Sequence, residues 1–139
     1  MSKAALLTAE LLAALAQVPG FTGVYPQGTA APDKQPTPYL LVRITGSDLE
    51  EVQGVSTAYA KRMATYEIEA VYSRSATIQD LQTGEHAILV GLGFGKLQTV
   101  RPVKQGQIAE QTTEFPDKEE GSLNQSMVVQ VGYRYAETY

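Results

Sequence analysis

Residues 127–135 constrain this chain more than any other stretch. Met127, Val129, Val131, Tyr133 and Tyr135 alternate with Val128, Gln130, Gly132 and Arg134. Successive side chains of a strand point to opposite faces, so strict alternation demands a sheet with one face buried. The run is long and aromatic enough to belong well inside that sheet.

Two more strands carry the same signature. Residues 39–45 place Leu40, Val42 and Ile44 on one face and Tyr39, Leu41 and Arg43 on the other. In residues 63–72, Tyr66, Ile68, Ala70 and Tyr72 alternate with Thr65, Glu67, Glu69 and Val71, which predicts a half-exposed strand. A short strand is expected at 23–25. Residues 96–104 read as a weaker strand that Pro102 pushes to a sheet edge.

The helices are set by a different period. Leu6, Leu7, Leu11, Leu12, Ala14, Leu15 and Val18 recur at three- and four-residue steps in an Ala- and Leu-rich segment, predicting a helix over 3–17 with Ser2 as N-cap and Pro19-Gly20 as its stop. Thr77 followed by Asp80 has the form of a capping box and opens a second helix over 77–90, carrying Ile78, Leu81 and Ile88. Residues 26–38 hold four prolines and are expected to be loop. Two longer connections are predicted: 46–62, with Asp48, Glu50, Glu51, Tyr59, Lys61 and Arg62, and a polar exposed loop over 105–122. The order helix, two strands, helix, two strands indicates one α+β domain over residues 1–139. Its sheet is largely antiparallel or mixed, of four to five strands, with two helices packed on one face.

Length and composition narrow the function classes. A chain of 139 residues suits a single core. No apolar run approaches the roughly 20 residues of a membrane span, and Lys3 and Glu10 argue against a signal peptide, so a soluble chain is expected. The absence of cysteine removes disulfides, thiolate metal sites and thiol nucleophiles. A net charge of −4 argues against gripping nucleic acid by phosphate neutralisation.

The motif search points away from catalysis. The glycines at 91, 93 and 95 follow a helix, whereas a dinucleotide loop must follow a strand and open a helix, so they read as a helix C-terminus. His86 and Glu85 are adjacent on a helix and diverge by about 100°. Glu67 and Glu69 share a strand face about 7 Å apart, a spacing open to a glycosidase pair, but no aromatic sugar platform accompanies them. No Gly-x-Ser-x-Gly elbow is present. The expectation is a chain without enzymatic activity, catalytic residues, cofactor or metal. Eight tyrosines and no tryptophan supply amphipathic contact area, and Tyr139 joins the candidates for an assembly surface.

The short amphipathic N-terminal helix, the approach Gln35-Pro-Thr-Pro-Tyr-Leu-Leu-Val-Arg-Ile44, the long loop, the strand 64–72, the following helix and the closing strand 127–135 before Ala136-Glu137 together span nearly the whole chain. In that order and length they resemble the tail terminator or tail completion proteins of long-tailed bacteriophages, a group overlapping with neck proteins. The resemblance rests on element order and not on a specific motif. It implies a structural virion protein assembled in the bacterial host cytoplasm. Such a protein forms a ring of six subunits on the tail tube protein, ends tube growth and meets the head connector, while DNA passes the lumen without specific binding. The excess length and mixed charge of 46–62 make Asp48, Glu50, Glu51, Tyr59, Lys61 and Arg62 the candidate interface residues, together with Tyr139. A head-completion protein shares the outline, and a small-ligand-binding α+β domain is the alternative from another class.

Overall fold

The computed structural model describes residues 2–53, 59–96, 103–117 and 123–139. Helix α1 (Lys3–Ala16) starts where expected: the Ser2 hydroxyl accepts the Ala5 N–H at 3.1 Å. Strand β1 (Val24–Pro26) is short and leads into the Pro-rich loop. Then come β2 (Tyr39–Gln53), β3 (Tyr59–Ser73), helix α2 (Ile78–Gly91), a 3-10 turn at Phe94–Lys96, β4 (Gln107–Glu114) and β5 (Asn124–Thr138). Both halves of the capping box at α2 are formed, with Asp80 N–H donating to Thr77 Oγ1 at 3.2 Å and Thr77 N–H to Asp80 Oδ2 at 2.8 Å. The glycines after it do end the helix, and Gly93 supplies a φ of +94° that other residues rarely adopt.

The five strands form one mixed sheet in the order β1-β2-β3-β5-β4, giving an α+β fold. Strand β1 runs parallel to β2, and every other pairing is antiparallel. The most strongly alternating strand, β5, does lie inside the sheet, between β3 and β4.

Two expectations need correction. Residues 46–62 are not a long loop: β2 continues to Gln53 and β3 begins at Tyr59, pairing down to Gln53↔Tyr59. Polar residues carry those strand extensions because neither face there is deeply covered, so the alternation that marks a buried strand is missing. The edge strand is β4 at Gln107–Glu114, inside the stretch 105–122 expected to be loop. The expected strand at 96–104 falls largely on 97–102, and part of the loop expected over 105–122 on 118–122, both outside the described residues.

The core lies between the helices and one face of the sheet. Leu7, Leu11 and Leu15 of α1 and Leu81 and Ile88 of α2 pack with Leu40, Val42, Tyr66, Ile68, Met127, Val129 and Tyr133. Each fully buried aliphatic side chain contributes about 2 kcal/mol through removal from water. Gly84 permits the close seat of α2, since a Cβ there would lie 1.9 Å from the Tyr72 hydroxyl oxygen.

Candidate assembly surface

The long strands β2, β3 and β5 share two distinct halves. In the first, the helices cover the sheet; in the second, β2 from Ile44, β3 up to Thr65 and β5 from Gly132 continue as an arm, in which β4 flanks β5 as far as Arg134, the N-terminal end of α1 meets β5 at Glu137, and β2 is left exposed. Strand β1 pairs only with Leu40, Leu41 and Val42, so β2 is the outer strand of the arm.

Every candidate interface residue except Tyr139, which follows β5, lies on the strands of this arm. Arg134 of β5 donates from Nε to both carboxylate oxygens of Glu50, at 3.1 and 3.0 Å. The register Asp48↔Met63↔Arg134 puts Met63 of β3 between β2 and β5, so this ion pair bridges over the strand between them. Lys61 meets Glu51 at 3.6 Å on the neighbouring rung. Asp48 is exposed, and Tyr59 is half-buried between Gln53 and Thr138. Arg62 donates to the Ser47 carbonyl at 3.3 Å and hydroxyl at 3.2 Å, and a hydrogen bond with Tyr135 raises its pKa further. Tyr139 is 69% exposed, whereas Tyr133 and Tyr135 are core.

What charge-based reading of the sequence missed is an apolar row. Cross-strand partners share a face, and Ile44↔Tyr66, Leu49↔Arg62 and Val52↔Ala60 set Ile44, Leu49 and Val52 on the helix side of the sheet. Tyr66 and Ala60 are buried there, yet Ile44, Leu49 and Val52 are 42%, 55% and 66% exposed, because the row lies on the outermost strand of the arm. Two bulges in β2, at the Ile44/Gly46 and Leu49/Glu51 steps, shift the alternation and hide this row from period-2 reading.

The other candidate groups have ordinary partners. His86 is exposed on α2. Glu67 is ion-paired with Arg43 across the β2/β3 ladder, and Glu69 accepts from the Ser126 hydroxyl at 3.3 Å. Among the described residues no group of three or more His, Asp or Glu is arranged to hold a metal, and no helix is long and apolar enough to cross a membrane. An open apolar groove lies between the helices, walled by Ala13, Val18, Ala87 and Val90.

No protein-family model and no curated protein matches this chain. Its fold is similar to that of a solved chain known only by a sequence label, with a TM-score of 0.60 at 10% identity, covering 98% of this chain and 95% of that one. A second solved chain, from the virion of a native gene transfer agent (GTA) particle, aligns with a TM-score of 0.43 at 13% identity, covering 99% of this chain and 92% of that one.

Proposed function

We propose that this protein is a structural virion subunit. It closes as a ring of six copies on the end of a phage-type tail tube, stops tube growth and offers its upper surface to the head connector. The observation that carries the reading is the exposed apolar row Ile44, Leu49 and Val52, on an arm where Glu50 and Glu51 are already paired with Arg134 and Lys61. Exposed apolar side chains in a line, bordered by polar groups, mark a surface that is covered by a protein partner. The element order noted in the sequence supports the particular partner. In this reading the protein performs no catalysis and binds no cofactor, and DNA slides past a net-negative subunit without being held.

The test adds purified protein to tail tube subunits as they polymerise, with tube length read by electron microscopy. Tubes of limited length bearing a terminal ring are expected. Tubes that grow to the same length with and without the protein overturn the proposal.

A further inference from the structure

Helix α1 departs from the pattern of a surface helix. A helix that packs one face on a core normally carries charge on the other. Here Leu7, Leu11 and Leu15 face inward, while Ala5, Leu6, Ala9, Ala13 and Ala16 are exposed and none is charged. The two charged residues of α1 lie off that outward face. Lys3 is in the first turn, and the Glu10 carboxylate accepts the N–H groups of Lys104 and Gln105. A helix apolar on all sides is ordinarily buried on all sides.

Among the described residues, the outward face of α1 and the row Ile44, Leu49 and Val52 are both uncovered apolar surfaces. Pairing of sheet edges between copies is not favoured, because β2 has two bulges and β4 has one at Ala109, and bulges break the ladder that an added strand must follow. We infer that the outward face of α1 receives the Ile44, Leu49 and Val52 row of a second copy, head to tail, an assignment that rests on the ring reading above.

Three properties fit the two surfaces to each other. In length, the 14 residues of α1 span about 21 Å, and the row extends about 26 Å at an ideal strand rise, less the bulges. In shape, Ala5, Ala9, Ala13 and Ala16 leave a shallow track for the projecting Leu49 and Val52. In charge, the cation beside the row is Arg62, opposite Leu49, and the last turn of α1 has no basic residue of its own. The negative end of the α1 dipole accommodates Arg62 when the Leu49 end of the row lies there. Glu50 and Glu51 are already paired with Arg134 and Lys61, so the contact leaves neither of these carboxylates unpaired. Since the two surfaces differ, each copy gives one and receives one, and such a contact makes a ring when its rotation closes.

The test uses Ala9→Glu and Val52→Glu, both at exposed positions, with melting temperature confirming that each variant folds. Native mass measures assembly. Wild type is expected near 90 kDa, six chains of 15.0 kDa, and each variant alone at 15.0 kDa. An equimolar mixture of the two variants is expected to form a heterodimer of twice the chain mass, because the intact row of one enters the intact α1 face of the other. A mixture that stays monomeric, a variant that still assembles, or a wild type that is monomeric at every concentration overturns this pairing. A ring that persists in both variants removes the pairing and leaves the ring reading standing, whereas failure to limit tube length removes that reading itself.

Discussion

Ile68 and Leu49 lie on the same face of the same sheet, one fully buried and the other 55% exposed. The first belongs to the half of the long strands that lies under the helices, the second to the arm. Under the helices the side chains are apolar or aromatic, and the polar atoms are tied: the Tyr66 hydroxyl meets Thr8 Oγ1 at 2.7 Å. On the outer strand of the arm, backbone ladders and solvent-screened ion pairs hold the chain while Ile44, Leu49 and Val52 remain uncovered. The comparison shows that one ladder can serve two purposes, with helix coverage deciding which half is core and which half is available to a partner.

The largest expected difference is in truncation. Ile68→Ala should cost about 3 to 4 kcal/mol in denaturant unfolding, as expected for an aliphatic group removed from a packed site. Leu49→Ala should stay within about 0.5 kcal/mol of wild type. Equal losses at the two positions would dissolve the distinction between the halves.

A smaller effect is expected where α1 meets the far end of the arm. The Glu137 carboxylate, at the end of β5, accepts the N–H groups of Lys3 and Ala4 at 3.3 and 3.2 Å, at the positive end of the α1 dipole. It is nearly buried, and Glu137→Ala leaves two helix donors without that acceptor. A loss of about 1 to 3 kcal/mol is expected, with α1 amides exchanging faster than those of β3. Uniform protection across α1 and β3 in the variant would contradict this role.

Next come the two core tyrosines, whose rings pack edge to face at 6.2 Å. Tyr66→Phe should lose about 1 kcal/mol with its bond to Thr8, whereas Tyr133→Phe should be neutral or stabilising, since the Tyr133 hydroxyl is buried with no hydrogen-bond partner among the described residues. Burial raises the pKa of both phenols, so the unfolded chain loses these protons first as pH increases. Their contribution is therefore constant below about pH 10 and is lost above it, and stability measured against pH should fall only on that alkaline side.

The smallest effect belongs to the arm. A double-mutant cycle on Glu50 and Arg134 should give a coupling below about 1 kcal/mol that shrinks in salt, because both side chains are substantially solvated. A larger, salt-resistant coupling would mean that the arm is held as firmly as the core.

Much of the covered half was legible in the chain itself. The alternation of Met127 to Tyr135, the leucine spacing of α1 and the Thr77 and Asp80 capping pair are local patterns, and each formed its predicted element. Most of the candidate interface residues were found as charges, but their segment was read as loop, because Gly46 to Gln53 has no single buried face to impose a period. Strand β4 was invisible for the same reason: on its helix side it offers Ile108, Gln111 and Thr113, only one of them apolar.

By itself, then, the sequence determined the helices, their caps, the core strands and the class of fold, since these depend on neighbours within a few residues. Only the tertiary structure decided that 46–62 is largely strand, that two bulges turn Ile44, Leu49 and Val52 to one side, and that α1 shows an uncharged face outward. Those features depend on cross-strand register and on which surface another element happens to cover, and hydrogen bonds between distant backbone segments leave no periodic mark on the residues they join.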